Sequence, residues 1–419
     1  MDGLGEIMYR KLLPARFAFF GLIFLFVGIW IISGTDLEAN QISTPKGTAS
    51  RRSEPRSLST SDLARYLSGL KPEHIEKQIY LKDEGGRKLK VTLSIDPGLQ
   101  DYIRNLASNT KALQTSVVVM DAVDGRILAM VDYDQLGQGD IFSIKADYPA
   151  ASIFKMVSAA AALEAAGFSP EQSVSFVGGQ HTLYKYQLKD KSGKYTTKTT
   201  FRKAFASSIN PVFGKLGIYH LGRGILNDYG SRFYFNRAIP FEMEMGKSRM
   251  EAPSDNFGLA ELASGFNKET LISPLHAAML GASVANDGVM MRPRIVETVQ
   301  TESGITLYEG KSTALARVIK SDTATGLKVL MRETVVRGTC KRAFHKLFRS
   351  KACRDVDLGA KTGTINDRLD RFKYDWTVAF AAPRDGRRAI AVAVLNVHGE
   401  KLGLRANETA SIVINRWIK

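Results

Sequence analysis

The sequence of 419 residues predicts an α/β (α+β) fold, in which helices pack on a central antiparallel sheet beside a mainly helical subdomain, behind one N-terminal transmembrane helix. Three observations support this prediction. Paired strand patterns occur near both ends of the chain, helical patterns dominate between them, and one uncharged apolar run lies close to the N-terminus. With 44% hydrophobic and 24% charged residues, the chain can bury an ordinary core.

The apolar run near the N-terminus, Phe17–Ile32, contains no charged or strongly polar residue. As a helix it covers about 25 Å, a little short of a bilayer core but long for a cleaved signal. Basic residues precede the run and acidic residues follow it, so residues 1–16 are predicted to be a cytoplasmic tail, with everything after the run outside. We predict a transmembrane signal anchor at 17–33; a cleaved signal and a buried core helix are the alternatives.

The next residues change composition twice. Residues 34–60 are rich in Ser, Thr, Arg and Pro, which is typical of a flexible linker. Residues 61–96 predict a short helix and a hairpin around Gly85-Gly86, forming a small N-terminal stalk. Residues 97–419 are predicted to form one domain.

The elements of this domain follow from periodicity and turn residues. Pro97 opens a helix to about Leu113, and Gly167 ends an Ala-rich helix that is apolar on every side. The Ala-rich helix is predicted at Ser152–Ala166. One hairpin is predicted before it, with strands Val117–Met120 and Ile127–Val131, and a second near the C-terminus, with strands Trp376–Ala382 and Ala389–Val397. A final helix is predicted at Glu408–Ile418. Distant segments would therefore complete one antiparallel sheet.

Charge and ligand residues narrow the classes of function. The net charge of +16 comes from scattered basic residues, which indicates a solvated basic surface and no nucleic-acid partner. The six histidines show no metal-ligand spacing, so no metal site is predicted. Cys340 and Cys353 are the only cysteines, and in an oxidising compartment they predict a local disulfide, with two free thiols as the alternative.

The first catalytic pattern is Ser152-Ile153-Phe154-Lys155, at the start of the Ala-rich helix. A spacing of three places both side chains on one helical face, where the amine can reach the hydroxyl. A lysine removed from water loses pKa and can act as the base that activates serine. Two other Ser-x-x-Lys pairs, Ser43 with Lys46 and Ser108 with Lys111, lie in polar segments that cannot bury the lysine.

The second pattern is Lys361-Thr362-Gly363-Thr364. At the end of a strand it offers a cation and two hydroxyls to a carboxylate, and the glycine lets a ligand backbone lie close. A plain strand and turn with an exposed lysine is the alternative, which the Ser152 and Lys155 pair makes less favourable. For a third element there are two candidates, Ser208-Ile209-Asn210 and Ser254-Asp255-Asn256.

These motifs carry a resemblance to a known family. The stretches Tyr148–Lys155, Ala204–Phe213 and Gly359–Thr364, in this order, resemble the transpeptidase domain of penicillin-binding proteins, within the serine penicillin-recognising acyl-transferase superfamily. Supporting likenesses are Leu93–Gln100, Asp124–Met130, Ser273–Ala278 and Ala285–Gly288, so the resemblance covers about Leu93–Lys419. It implies a penicillin-binding protein/β-lactamase-like fold, of the class B-like monofunctional kind without a large pedestal domain.

The resemblance also implies roles for individual residues. The position of Ser208-Ile209-Asn210 matches the family's second motif, which leaves Ser254-Asp255-Asn256 as a loop or cap. By this likeness Ser152 is the nucleophile, Lys155 its base and Ser208 a proton relay. Asn210 holds the substrate amide, Lys361 supplies a cation, and Thr362, Gly363 and Thr364 bind the terminal carboxylate. The backbone N–H groups of Ser152 and Thr364 form the oxyanion site. One departure is Ala151, where the family usually has glycine.

The implied activity is that of a peptidoglycan D,D-transpeptidase that needs no cofactor. Its substrates would be peptidoglycan stem peptides, and β-lactams would acylate Ser152 as covalent inhibitors. The expected location is the bacterial cytoplasmic membrane, single-pass, with the catalytic domain outside and a membrane glycan polymerase as a working partner. Three alternatives remain: a D,D-carboxypeptidase, a β-lactamase-like hydrolase, and a β-lactam sensor or wall-synthesis scaffold.

Overall fold

The computed structural model describes residues 57–137, 139–189 and 193–419. The predicted cytoplasmic tail (1–16), transmembrane segment (17–33) and nearly all of the predicted linker (34–60) lie outside these residues. Across the described ranges, no helix combines the length and apolar character needed to cross a bilayer. The described residues all fall in one compact unit of the chain.

Among the strands of the described ranges, the longest are the five that form the central sheet. In chain order they are β1 (Gln78–Lys82), β2 (Lys88–Leu93), β3 (Gln114–Asp121), β4 (Ile127–Asp134), β5 (Tyr148–Pro149), β6 (Ser173–Phe176), β7 (Thr197–Thr200), β8 (Leu271–Ile272), β9 (Val289–Met291), β10 (Val296–Thr301), β11 (Thr306–Glu309), β12 (Ala314–Arg317), β13 (Val356–Asn366), β14 (Lys373–Pro383) and β15 (Ile390–His398).

The helices occupy mainly the middle of the chain, as predicted. They are α1 (Thr60–Tyr66), α2 (Pro97–Ser108), α3 (Lys155–Glu164), α4 (Phe201–Ala206), α5 (Asn210–Leu216), α6 (Gly222–Arg232), α7 (Asn256–Ser264), α8 (Pro274–Ala285), α9 (Ser321–Val336), α10 (Lys341–Phe348) and α11 (Ala406–Ile418). The segment between β4 and β9 therefore contains six of these helices and only short strands.

The central sheet has five antiparallel strands in the order β13-β14-β15-β3-β4. The two predicted hairpins, one from each end of the domain, meet where β15 pairs with β3, with Val394 opposite Val117. This confirms the mixed α/β architecture and the sheet built from distant segments.

Both faces of the central sheet are buried. Along β15 the side chains alternate, because Ala391, Ala393 and Leu395 belong to one hydrophobic cluster, whereas Val392 and Val394 belong to another. Helix α8, buried along its whole length, packs on the first face, and α2, α10 and α11 cover the second. The result is three layers, with β13 at one edge of the sheet.

Residues 61–96 pair with a distant part of the chain. Strand β2 lies between β1 and β10 in a second sheet of order β1-β2-β10-β11. Leu63, Leu67 and Val91 are buried in the same hydrophobic cluster as the first face of the central sheet. The hairpin predicted here is present, and its packing joins it to the rest of the described unit.

Three local predictions differ from the structure. Helix α2 ends at Ser108 rather than near Leu113, because Asn105 O accepts from the Ser108 and Asn109 side chains and Lys111 takes a left-handed φ of 60°. The predicted Ser152–Ala166 helix begins as a 3₁₀ turn, Ala151–Phe154, before α3. The third difference concerns the cysteines.

The disulfide predicted between Cys340 and Cys353 is not formed, since both thiols are free and buried. Helix α10 lies between the two residues, and their neighbours differ: Cys340 is near Lys361 and Asp375, whereas Cys353 is near Arg332. Burial raises the pKa of both thiols, that of Cys340 to about 12. The number and spacing of the cysteines therefore predicted a disulfide that the folded structure does not contain.

Candidate active site

The Ser152 and Lys155 side chains meet on the 3₁₀ turn that precedes α3. With three residues per turn, positions i and i+3 are superposed along the axis, so the amine lies over the hydroxyl. Lys155 Nζ is 2.8 Å from Ser152 Oγ. Ala151 enters this turn with a left-handed φ of 49°, which explains why glycine would suit the position. The backbone of Ala151 is therefore strained directly beside the candidate nucleophile.

Lys155 is completely buried and donates to two further acceptors. Its Nζ lies 2.7 Å from Asn210 Oδ1 and 2.6 Å from the Ser264 carbonyl oxygen. Burial, and then the positive charge of Lys361, lower the pKa of Lys155 well below its ordinary value. In the neutral amine these two acceptors take both N–H groups, which turns the nitrogen lone pair to the Ser152 hydroxyl. The geometry is that of a base prepared to receive the serine proton.

Lys361 and Ser208 form a second lysine and serine pair in the same cleft. Lys361 Nζ lies 3.0 Å from Ser208 Oγ and donates to the Thr362 carbonyl oxygen at 2.7 Å. Burial lowers the pKa of Lys361 to about 7, so this amine changes charge close to neutral pH. Ser208 takes a left-handed φ of 55°, another strained position for a residue with a side chain.

A loop that the sequence did not single out holds Ser208 and Asn210. The Asn210 side-chain amide donates to the His181 carbonyl oxygen at 3.0 Å, and its backbone N–H donates to Gln180 at 2.7 Å. The His181 ring is hydrogen-bonded to the backbone of Ser208. Buried Gln187 donates to two carbonyl oxygens of this loop, at 2.9 and 3.0 Å. No local pattern in the sequence marks His181 or Gln187.

Strand β13 carries Lys361-Thr362-Gly363-Thr364 along the edge of the central sheet, and it continues two residues beyond the motif. A Cβ built on Gly363 would lie 3.2 Å from the Ser152 backbone nitrogen, so the motif passes directly beside the 3₁₀ turn. On the other side, a Cβ on Gly265 would lie 2.0 Å from the Ala151 carbonyl oxygen. These two glycines allow the close approach of backbones around Ser152.

Both threonines of β13 are hydrogen-bonded to neighbouring elements. Thr362 Oγ1 lies 2.6 Å from Thr339 Oγ1, and Thr364 Oγ1 lies 3.3 Å from Asp375 Oδ1. Asp375 accepts two hydrogen bonds from Arg405, at 2.7 and 3.0 Å. Burial alone would raise the pKa of Asp375, but the hydrogen bonds and the positive charge of Arg405 lower it to about 2. The strand edge is thereby fixed to the start of α11.

These groups line a cleft of about 490 Å³. Five of the eight predicted site residues are on its wall, namely Ser152, Ser208, Asn210, Thr362 and Thr364, while Lys155 and Lys361 are buried behind it. Arg342 and Arg405 add positive charge to the rim. The structure therefore brings the three motifs together around one open space that a peptide can enter.

The second Ser-x-Asn candidate has a structural role. Asp255 accepts from the backbone N–H groups of Phe257 and Gly258 at 3.0 and 2.9 Å and so caps α7. None of Ser254, Asp255 and Asn256 is on the wall of the cleft that contains Ser152. The expectation of a cap agrees with this placement.

A partly exposed serine beside a buried lysine, next to the edge strand of a five-stranded antiparallel sheet, defines the class of penicillin-recognising serine proteins. The family described as "Penicillin binding protein transpeptidase domain" matches residues 115–414, and the chain belongs to this family.

Known proteins agree with this assignment. The chain is 25% identical over 321 residues to "Peptidoglycan D,D-transpeptidase PbpA" of Mycolicibacterium smegmatis, and the match covers 67% of this chain and 61% of that protein. The curated relatives are thus matched over less than two thirds of their own length. Two solved structures share the fold, each with 24% sequence identity and a TM-score of 0.63 over 78% of this chain. One is the D,D-transpeptidase domain of an Eggerthella lenta peptidoglycan glycosyltransferase, of which 82% is covered. The other is penicillin-binding protein A of M. tuberculosis as an imipenem acyl-enzyme complex, of which 79% is covered.

Proposed function

We propose that this protein is a peptidoglycan D,D-transpeptidase that cross-links stem peptides through an acyl-enzyme on Ser152. The observation that carries the proposal is the buried Lys155 amine, 2.8 Å from Ser152 Oγ and hydrogen-bonded to Asn210 and Ser264. Burial and the positive charge of Lys361 lower the pKa of Lys155 well below its ordinary value, which favours the neutral amine that can act as a base. The family assignment and the name of the M. smegmatis relative support the same activity.

In the acylation step Ser152 Oγ attacks the carbonyl carbon of the penultimate D-alanine, and its proton passes to Lys155 Nζ. The negative oxygen that forms is placed at the backbone N–H groups of Ser152 and Thr364, where each donor contributes about 3 kcal/mol. The C–N bond then breaks, and the departing D-alanine takes a proton relayed by Ser208 between Lys155 and Lys361. An ester of Ser152 remains, and the reaction needs no cofactor.

The second half of the reaction transfers the acyl group. The amine of another stem peptide attacks the ester, gives its proton back through Lys155, and forms the new peptide bond as Ser152 Oγ leaves. Substrate binding is assigned to Thr362, Gly363 and Thr364, with Lys361 and the cationic rim attracting the terminal carboxylate. β-Lactams enter the same cleft and acylate Ser152 as covalent inhibitors. The M. tuberculosis neighbour is described as such an acyl-enzyme with imipenem.

The location and organisation follow from the sequence and belong to the proposal. Residues 1–16 are a cytoplasmic tail, 17–33 a single-pass signal anchor and 34–60 a flexible linker, which leave the transpeptidase domain (97–419) outside the cytoplasmic membrane, behind the segment 61–96. A membrane glycan polymerase is the proposed partner, because a transpeptidase cross-links glycan strands that another enzyme must make. The support is the charge asymmetry around the apolar run of the sequence.

The test is labelling of the full-length protein with a fluorescent penicillin. We expect stable labelling of the wild type, no labelling of Ser152→Ala, and unchanged labelling of the matched control Ser108→Ala, which removes the serine of an exposed Ser-x-x-Lys pair. The label should persist for hours, whereas rapid release would indicate a hydrolase. Incubation with a stem pentapeptide and an acceptor amine, followed by mass spectrometry, should give the cross-linked dimer; a tetrapeptide alone would indicate a carboxypeptidase instead.

A further inference from the structure

The segment after α9 carries positive charge that the proposed reaction does not use. Residues 341–354 contain six lysines or arginines, one histidine and no acidic residue. The first part of this segment forms α10, and the last part forms a 3₁₀ turn, Lys351–Cys353, before β13. Such a concentration of one sign of charge attracts anions.

The end of this segment surrounds a cavity of about 300 Å³ that is separate from the Ser152 cleft. Its charged lining consists of five basic side chains and one acidic one: Arg332, Arg349, Lys351, Arg354, Arg384 and Asp357. None of these residues lines the cleft that contains Ser152. The cavity is therefore a second, strongly cationic space on the molecule.

The acidic residue compensates only part of this charge. Asp357 accepts a bidentate pair of hydrogen bonds from Arg384, at 2.7 and 3.2 Å, and lies 3.7 Å from Arg332. Asp355, just outside the lining, acts on the same Arg384. Arg349, Lys351 and Arg354 form no ion pair with any residue in the described ranges. Three cationic groups at the cavity thus have no counter-charge from the described part of the chain.

A buried polar atom lies at the same place. The Ser350 hydroxyl lines the cavity, is shielded from solvent, and has no hydrogen-bond partner among the described residues. Buried hydroxyl groups in folded proteins are nearly always hydrogen-bonded, so an unmatched one needs a water or a ligand as its partner. A hydroxyl between arginines can donate to an oxygen of an anion that the arginines bind.

We propose that this cavity is a binding site for a phosphate group, held by Arg349, Arg354 and Lys351 with Ser350 as an additional donor. Guanidinium groups match the oxygens of phosphate in bidentate geometry, and a phosphate spreads charge over enough oxygens to meet several cations at once. The chemistry fits free phosphate and the phosphodiester of a lipid headgroup. The site is independent of the proposed acyl transfer, since its residues are separate from the cleft.

The test is isothermal titration calorimetry of the full-length protein in a neutral detergent at constant ionic strength. One titrant is inorganic phosphate and the other is glycerophosphoglycerol, a soluble phosphodiester headgroup, with sodium chloride as the reference. We expect saturable binding of at least one titrant, weakened about tenfold by Arg349→Ala or Arg354→Ala and several-fold by Ser350→Ala. Preference for glycerophosphoglycerol would assign the site to a headgroup, and preference for phosphate to a phosphate monoester or free ion.

The control is Lys346→Ala, which removes a cation from the same basic segment but lines neither the cavity nor the Ser152 cleft. We expect it to leave phosphate binding unchanged. Equal weakening by Lys346→Ala and Arg349→Ala would overturn the site in favour of diffuse attraction by a basic surface, and so would the absence of saturable heat with both titrants. Unaltered penicillin labelling of the Arg349, Arg354 and Ser350 variants verifies their fold and separates this result from the test of the proposed function.

Discussion

Lys361 lowers the pKa of Lys155 through its positive charge, in addition to the effect of burial. Each of these buried amines contacts its own serine, at 2.8 Å for Lys155 with Ser152 and 3.0 Å for Lys361 with Ser208. A charged Lys361 therefore favours a neutral Lys155, so one lysine can attract a carboxylate while the other accepts a proton. The two roles depend on different protonation states, which makes them separable by experiment.

Replacing Lys155 by methionine tests its role as the base. Methionine preserves most of the buried volume but offers no lone pair of comparable basicity. We expect the second-order rate constant for acylation by fluorescent penicillin to fall by about 10²–10⁴-fold. Lys111→Met, in the exposed Ser-x-x-Lys pair, should leave the rate unchanged. An acylation rate for Lys155→Met within a few-fold of wild type would exclude lysine as the base.

The pH dependence of acylation should report Lys361. Because burial lowers the pKa of Lys361 to about 7, this amine is charged below that pH and neutral above it. If its charge attracts the carboxylate of the β-lactam, the acylation rate constant should decline as the pH rises through about 7. Lys361→Arg keeps the charge at all these pH values and should remove the decline. If the acylation rate constants of the wild type and Lys361→Arg depended on pH in the same way, the charge of Lys361 would not be the cause of the decline.

Gly265 tests how tightly the nucleophile turn is packed. It has a φ of 62°, and an added Cβ would lie 2.0 Å from the Ala151 carbonyl oxygen. We expect Gly265→Ala to lower the free energy of unfolding by about 3 kcal/mol, from the left-handed conformation and the backbone collision together, and to slow acylation. Gly304→Ala is the matched control, since its φ of 84° is equally unfavourable but its surroundings are open, and about 1 kcal/mol is expected. Denaturant titration measures the free energy of unfolding of both variants. Equal decreases for Gly265→Ala and Gly304→Ala would contradict a backbone collision at Gly265.

Asp375 should contribute stability that is lost in acid. Its folded pKa of about 2 lies below the ordinary value of 3.8, so the contribution is fully present above pH 3.8 and disappears as the pH falls through about 2. We expect Asp375→Asn to lower the free energy of unfolding by on the order of 2 kcal/mol at pH 7 and by much less near pH 2. Denaturant midpoints at several pH values measure the difference. A loss that is constant with pH would mean that the carboxylate charge is not the cause.

The two cysteines should titrate as free thiols without any reductant. Burial raises the pKa of both, so the native protein should react very slowly with a dithionitrobenzoate reagent. In denaturant, two thiols per chain should react in the wild type. One thiol per chain should react in Cys353→Ala. If the denatured wild type reacted only after reduction, the cysteines would be bonded in the protein as isolated.

The sequence predicted best those parts of the site that depend on local spacing. Ser152 and Lys155 are three residues apart, and the apolar helix that follows them ensures that the lysine is buried. The hairpins of the central sheet were likewise predictable, because buried strands have a strong apolar signature. The position of Asp255 as a helix cap follows from the same kind of local rule.

Contacts between distant segments could not be predicted. His181 contacts Ser208 and Asn210 only because its loop, which Gln187 holds, folds over them, and no periodicity marks such a loop. The same is true of Arg405, whose bond to Asp375 links the end of one strand to a helix start. The cysteines illustrate the opposite error, since their number and spacing suggested a bond, whereas both thiols are free and buried.

The strand order of the central sheet has a consequence for biosynthesis. Strand β15 lies between β14 and β3, so the sheet cannot close until the ribosome has produced residues 390–398. The candidate nucleophile Ser152 is translated long before Lys361, which lies 153 residues beyond its hydrogen-bond partner Ser208. Until the last strand arrives, β3 has an open edge that can pair with other chains. We therefore expect a chain truncated before β15 to lack the assembled site and to be prone to aggregation.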